Sequence, residues 1–164
     1  MKYKQRSVPA KDALERISKE FGLSHLVSDV EAILSIISVS NRFREEVYGK
    51  LEQKTGLTEG KFIVLMALMD CPQGLLMGEL AHRAGVADAT ASTMIKRMLN
   101  HSPALVAVKN ATKDKRQRRV YLTEAGRQVV NDVLPYHHEQ IVQFMKPLSV
   151  EDKTMLTTIL KKLI

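Results

Sequence analysis

The sequence predicts a mainly α-helical protein that carries one small β-hairpin. Apolar residues recur at helical spacing along most of the 164 residues, and only eight glycines and five prolines interrupt the chain. Residues 105–122 differ, because β-branched and aromatic residues there flank a basic loop. A single cysteine excludes a disulfide framework. We therefore expect one domain, or one domain with an appended helical arm.

Two helices are predicted in the N-terminal third of the chain. The first has Ser7 as its cap and ends at Gly22, so residues 1–27 form an N-terminal helical arm. The second covers about 28–54 and is longer than a typical globular helix, which favours packing against a partner chain. Residues 28–57 are therefore assigned to a helical dimerisation region. The apolar stripe of the second helix consists of Val30, Ile33, Leu34, Ile37, Phe43, Val47 and Leu51.

Two helices joined by a tight turn are predicted in the centre of the chain. Thr58 caps a preceding helix, which ends at the helix-breaking segment 70–74. A short helix over 77–84 then stops at Gly85, a residue that can take positive φ. A further helix covers about 88–100. This spacing is typical of a helix-turn-helix.

The second helix of this pair has one apolar side and one polar side. The side expected to be buried consists of Ala91, Met94, Ile95 and Met98. The other side carries short side chains followed by two cations, which suits a helix whose N-terminal end enters the major groove of DNA. The candidate DNA-contacting residues on this side are Asp88, Ala89, Thr90, Ser92, Thr93, Lys96 and Arg97.

Two strands, predicted over 105–111 and 118–122, flank a strongly basic loop. Residues 77–119 hold nine basic and three acidic residues, a net charge of +6, out of +7 for the whole chain. Such local charge predicts a polyanionic partner, and an aromatic content of only 5% favours duplex DNA over a single strand. A helix pair followed by a basic hairpin is a winged helix-turn-helix. The candidate DNA-contacting residues of this wing are Lys109, Lys113, Asp114, Lys115, Arg116, Arg118 and Arg119.

The C-terminal third is predicted to consist of two helices. The first covers about 124–145 and is expected to be interrupted or bent near Pro135, because proline removes a backbone donor. The last helix carries an apolar stripe of its own. We expect residues 124–164 to join 28–57 in the dimerisation region, around a DNA-binding domain at 58–123.

A motif with specific spacing leads from the wing into the next helix. It is Asp114-x-Arg116-x-x-x-x-x-Leu122-Thr123-x-x-Gly126. With the helix pair before it, this motif resembles the MarR family of bacterial transcriptional regulators. The resemblance implies a homodimer that binds pseudo-palindromic operator DNA, usually as a repressor. It also implies that 88–100 is the recognition helix and that Arg116 is the minor-groove residue of the wing.

The resemblance further implies control by a small effector. Many relatives release DNA when a phenolic or other aromatic ligand binds between the dimerisation and DNA-binding parts. No cofactor is expected, and the sequence does not indicate which residues would hold an effector. The alternative hypothesis is a winged-helix module that binds protein or RNA without ligand control.

Other functional classes lack supporting patterns. The sequence has no phosphate-binding loop, nucleophile elbow or paired-carboxylate motif, so no enzyme is predicted. Nothing basic adjoins Cys71 in the sequence, which argues against a reactive thiol. His137 and His138 are adjacent and point to different faces of a helix, so no metal site is predicted. The longest uncharged stretch, 98–108, is too short for a membrane span, and we expect a cytoplasmic protein without a membrane partner.

Overall fold

The helices and the hairpin follow one another in the predicted order. The computed structural model describes residues 9–110 and 118–164. The helices are α1 (Lys11–Glu20), α2 (Val27–Phe43), α3 (Lys50–Thr55), α4 (Glu59–Met69), α5 (Met77–Ala84), α6 (Asp88–Leu99), α7 (Glu124–Phe144) and α8 (Val150–Leu160). The strands are β1 (Leu75–Leu76), β2 (Val106–Asn110) and β3 (Arg118–Leu122). The predicted fold class, mainly α with a small β-hairpin wing, is confirmed.

Polar side chains fix the start of the two helices that flank the winged part. Thr58 Oγ1 accepts a hydrogen bond from the backbone N–H of Lys61 at 3.4 Å, as the sequence predicts for α4. Thr123 Oγ1 accepts one from the N–H of Gly126 at 3.0 Å and starts α7. The cap predicted at Ser7 lies outside the described residues. These caps explain why helix starts were readable from the sequence.

The long second helix is present but contains a π turn. Residues Arg44–Gly49 form this turn, and the chain is helical on both sides of it. Before the turn most apolar side chains are exposed, as at Ile33, which is 54% exposed. Val47 within the turn and Leu51 after it are fully buried in the core. One continuous helical segment therefore has an outward-facing apolar half and a core-packed half.

Helix α7 extends along the domain and contributes Val130 and Val133 to the core. It continues through Pro135 without the interruption that the sequence suggested. Pro135 lies on the exposed side of the helix, where the carbonyl oxygen that loses its donor can be hydrated. Packing of the buried valines therefore holds the helix together across the proline.

The sheet is antiparallel and has three strands in the order β1-β3-β2. The two wing strands were predicted, and Val106 pairs with Leu122 while Lys109 pairs with Arg119. The short strand β1 was not predicted. It has two residues, of which Leu75 pairs with Val120, and a two-residue strand is too short to show alternation. This strand ties the wing to the start of α5.

A cluster of rings joins the π turn to α4 and α7. The ring of His137 lies 4.5 Å from that of Phe62 and 5.3 Å from that of Tyr48. His137 is buried, whereas His138 is exposed, as expected for neighbours on different helix faces. Burial lowers the pKa of His137, with the nearby His138 as a second cause. Within the described residues no group of His, Cys, Asp and Glu side chains could hold a metal ion.

The exposed apolar surface lies mainly on α1, α2 and α8. These helices pack only partly on the rest of the chain. Their outward sides carry more exposed apolar side chains than a surface helix of a monomeric protein usually does. The exposed apolar residues there are Ile17, Phe21, Val30, Ile33, Ile36, Ile37, Val39, Met155, Leu156, Ile159 and Leu160. Over the part of the chain that is described, no helix combines the length and the apolar character needed to cross a membrane.

Candidate nucleic-acid interface

The turn between α5 and α6 has the geometry of a helix-turn-helix. Gly85 ends α5 with φ of +63°, a conformation that strains other residues. The N–H of Val86 then donates to the carbonyl oxygen of Ala81 at 3.1 Å. Leu80 and Ala81 are buried where the two helices pack. Gly85 thus ends α5, as the sequence predicts.

Helix α6 presents the polar face that the sequence predicts. Ala91, Ile95 and Met98 are buried, and Met94 is partly buried beside them. The opposite side faces outward along the length of the helix. All seven residues predicted to contact DNA are exposed, namely Asp88, Ala89, Thr90, Ser92, Thr93, Lys96 and Arg97. A single helix side thus offers small polar groups at its start and two cations near its end.

The wing continues this surface through the described ends of its strands. Lys109 and Arg118 are exposed, and the Lys109 ammonium lies 5.4 Å from the centre of the Tyr121 ring. Four of the wing residues predicted to contact DNA fall outside the described residues, and their role stays a prediction. They are Lys113, Asp114, Lys115 and Arg116.

A groove of about 470 Å³ separates α6 from the wing. Ser92 and Lys96 line it from the helix, and Arg118 lines it from β3. Met77 and Val108 contribute apolar side chains to the same groove. Two cations from elements far apart in the sequence therefore border one groove, which spacing along the chain alone does not reveal.

Comparison with known proteins identifies the family of this chain. No family model matches the sequence. The structure of AbsC, a MarR family transcriptional regulator from Streptomyces coelicolor, is 27% identical and superposes with a TM-score of 0.71, covering 80% of this chain and 88% of AbsC. The HTH-type transcriptional repressor YetL of Bacillus subtilis is 30% identical over 132 residues, which cover 80% of this chain and 77% of YetL. This chain belongs to the MarR family.

The resemblance stated from the wing motif is confirmed, and with it a transcriptional regulator rather than an enzyme. Another MarR family regulator, Sco3205 from Streptomyces coelicolor, was solved in complex with DNA. It shares 21% identity and a TM-score of 0.73, with 83% of this chain and 86% of Sco3205 covered. At that identity the likeness concerns the fold alone.

One wing residue of this MarR family protein has a partner inside the chain. Arg119 is half-buried, and its Nη1 donates a hydrogen bond to the carbonyl oxygen of Gly74 at 2.8 Å. Gly74 has φ of +73° in the turn that leads into β1. The sequence grouped Arg119 with the DNA-contacting cations, because a hydrogen bond across 45 residues has no local signal. This hydrogen bond joins β3 to the turn before β1, so Arg119 stabilises the sheet.

Replacing Arg119 with alanine is expected to lower the free energy of unfolding by about 1.5–3 kcal/mol, the usual contribution of a hydrogen bond from a charged group. Urea unfolding followed by circular dichroism measures this difference. Arg118→Ala is the matched control, since its side chain is exposed and its loss should change stability by no more than about 0.5 kcal/mol. Equal stability of the two variants would show that the Gly74 contact contributes nothing.

The expectation for Cys71 needs a correction. The sequence shows no basic neighbour, but folding brings Nη1 of Arg83 to 3.1 Å from the Cys71 sulfur. The same guanidinium lies 3.6 Å from a carboxylate oxygen of Asp70. Arg83 belongs to α5 and is twelve residues away along the chain, so only the packing of α5 on the end of α4 creates this contact.

Proposed function

We propose that this protein represses transcription by binding operator DNA as a homodimer. In this proposal α6 enters the major groove and the hairpin reaches the adjacent minor groove. The observation that carries the proposal is the exposed polar side of α6, with Lys96 near its end and Arg118 across the groove. A protein acting on bacterial operator DNA works in the cytoplasm, where we place it.

The groove between α6 and the wing matches the path of a DNA strand. A sugar-phosphate strand separates the major groove from the minor groove, so a helix in one and a wing in the other must straddle that strand. Lys96 and Arg118 border the groove between α6 and the wing, and in this proposal they contact the phosphates of that strand. Phosphate contacts fix the position of the helix, while base contacts near Thr90 and Thr93 would supply specificity.

Two arguments support the proposed dimer: the exposed apolar side chains and the specificity needed to select an operator. One recognition helix contacts too few base pairs to select a single operator. Two copies related by a two-fold axis would place their recognition helices about 34 Å apart, one turn of DNA. The apolar sides of α2 and α8 supply the surface that a second copy would bury. The arm that contains α1 would extend this interface.

Replacing Lys96 with glutamine is expected to weaken operator binding by the dimer and to reduce the slope of log affinity against log salt concentration by about two. The reason is that one phosphate contact per subunit is lost, with its released counterion. Fluorescence anisotropy over a range of salt concentrations measures both effects.

Lys146→Gln is the control for this experiment, because it removes the same charge at an exposed lysine between α7 and α8. It should leave the salt slope unchanged. If the two variants lower affinity and slope equally, then Lys96 acts only through net charge, and the proposed seat of α6 on DNA is wrong.

Arg116→Ala is expected to weaken binding to several operators alike, since an arginine in a narrow minor groove reads groove shape more than base identity. Electrophoretic shifts at several salt concentrations test this expectation. Unchanged affinity under all of them would remove Arg116 from the interface.

We also propose that a small ligand, phenolic or otherwise aromatic, relieves repression. The π turn packs against α7 and α4, so the helices assigned to the dimer and those of the winged part share one core. A ligand that alters this packing changes the placement of both recognition helices, with a typical coupling of about 1–3 kcal/mol. No cofactor enters this proposal. The alternative is a winged-helix module for protein or RNA, and the similarity to a transcriptional repressor favours DNA over it.

A further inference from the structure

Two residues of α6, Ala89 and Thr93, lie on the side of the helix opposite its buried face. Successive residues of an α-helix are about 100° apart, so Thr93 lies about 200° around the helix from Ala91. Ala91 is fully buried, whereas Thr93 is exposed. Ala89 precedes Thr93 by one turn and is also exposed. These two residues form the outer line of α6.

Cations lie on both sides of this outer line. Lys96 lines the groove between α6 and the wing. Arg97 lies on the other side of α6, where it lines a cavity together with residues of α4 and α7. A helix in the major groove has a sugar-phosphate strand on each side, and a cation on each side of the helix suits these two strands. Thr93, between the two cations, then faces the floor of the groove, where the base edges are exposed.

The hydroxyl group of Thr93 already has a partner within the helix. Its Oγ1 donates a hydrogen bond to the carbonyl oxygen of Ala89 at 2.9 Å. A threonine hydroxyl has a single proton, so in this conformation Oγ1 can only accept a further hydrogen bond. Guanine presents two acceptors in the major groove, O6 and N7, and would meet no donor at this position. Thr93 is therefore poorly suited to read guanine.

The methyl group of Thr93 is the part of the side chain that is left to face outward. The Cβ atom of threonine carries two heavy atoms besides the backbone, Oγ1 and Cγ2, and the hydrogen bond holds Oγ1 against the helix. The side chain of Ala89, one turn earlier, is also a single methyl group. Thymine is the base that presents a methyl group in the major groove, and apolar side chains read it by direct contact. The outer line of α6 is therefore complementary to thymine.

We propose that Thr93 reads one thymine in each operator half-site, through contact between its Cγ2 methyl group and the C5-methyl group of the base. This inference rests on the proposed function and adds the base that the recognition helix selects. Lys96 and Arg97 position the helix between the two strands, and Thr93 discriminates among the bases. Losing one such methyl contact lowers affinity about fourfold, so losing it in both half-sites lowers affinity about fifteenfold.

Uracil is the probe for this contact, because it pairs like thymine but lacks the C5-methyl group. A duplex is first selected from random DNA with the full-length wild-type protein. Each thymine is then replaced by uracil, one position at a time and in both half-sites together, and affinity is measured by fluorescence anisotropy. At one position per half-site the replacement should weaken binding about fifteenfold. Unchanged affinity for every uracil duplex would overturn the inference.

Two variants separate the methyl group of Thr93 from its hydroxyl group. Thr93→Ser keeps the hydroxyl and loses the methyl, so it should bind the thymine and uracil forms of that position within about twofold of each other. Thr93→Val keeps the methyl and the branched shape, so it should still prefer thymine about fifteenfold. Thymine preference that persists in Thr93→Ser, or that disappears in Thr93→Val, would overturn the inference. Because Thr93 is exposed, both variants should fold like the wild type, which circular dichroism checks.

Thr90→Ser is the matched control for Thr93→Ser. It removes the same methyl group from an exposed threonine of the same helix, about 60° around the helix from Thr93. Thymine preference at the position read by Thr93 should remain in this control. Equal loss of that preference in both serine variants would show a general effect on the seat of α6 and would overturn the assignment to Thr93.

The selection step separates this inference from the proposed function. Failure to select any duplex with the wild-type protein would disprove DNA binding, and with it the proposed function itself. A duplex that is selected and bound tightly, but whose thymine preference does not depend on Thr93, would leave the proposed function standing and overturn the reading of thymine by this residue.

Discussion

A protein in which Ile33 and Ile37 are both replaced by aspartate is expected to be monomeric and to bind operator DNA about 10²–10⁴-fold more weakly than the wild type. Both side chains lie one turn apart on α2 and are exposed, at 54% and 41%. Two carboxylates there would have to lose their water to form the proposed interface, and they would meet those of the partner. Without the dimer, each winged domain binds one half-site alone and loses the advantage of a linked second contact.

Sedimentation velocity and fluorescence anisotropy measure these two effects. Ser38→Asp is the control, because Ser38 lies on the polar side of the same helix, one turn before Arg42. It should remain dimeric and bind DNA normally. The winged part of the double variant should keep its thermal transition, since the core begins within the π turn, at Val47. A double variant that stays dimeric would show that the second copy docks elsewhere.

Replacing Gly126 with alanine is expected to destabilise the protein by about 1–3 kcal/mol or more, the usual cost of overpacking. A Cβ atom on Gly126 would overlap the carbonyl oxygen of Leu105 and lie 2.7 Å from Cδ1 of Leu122. The Leu105 oxygen is backbone and also accepts the N–H of Thr123 at 3.2 Å, so it cannot move aside as a flexible side chain would. The first turn of α7 would have to separate from the strands of the wing.

Differential scanning calorimetry measures this loss, and Gly78→Ala is the matched control. Gly78 lies in α5 with nothing within 4 Å of an added Cβ, so alanine there should stabilise the protein by up to about 1 kcal/mol through its higher helix propensity. The same chemical change should therefore have opposite signs at the two glycines. Equal transition temperatures for the wild type and Gly126→Ala would mean that α7 approaches the wing less closely than described.

The sequence predicted those features that local physical chemistry decides. The limits of α5 could be placed correctly because Gly85 can adopt the conformation that ends it. The polar side of α6 could be read because buried Ala91, Ile95 and Met98 recur at helical spacing. The wing could be predicted because β-branched and aromatic residues flank the basic loop, and Thr123 marks the start of the next helix.

Features that depend on contacts between distant segments escaped the sequence. The hydrogen bond from Arg119 to Gly74 and the contact of Arg83 with Cys71 join residues that are far apart along the chain. The groove bordered by Lys96 and Arg118 is also assembled from separate segments. Charge counting treats every arginine and lysine alike, so it cannot separate those that hold the fold from those that face outward.

The π turn at Arg44–Gly49 has a consequence for how relatives of this protein diversify. Such a turn holds one residue more than an α-helical turn, so a single-codon deletion or insertion there is tolerated more easily than elsewhere in the helix. Each residue gained or lost rotates everything beyond it by about 100°. The exposed half of the helix, α2, would keep its position while the core-packed half rotates. A change of one residue at this turn would therefore alter the angle between the exposed half and the core-packed half of the helix.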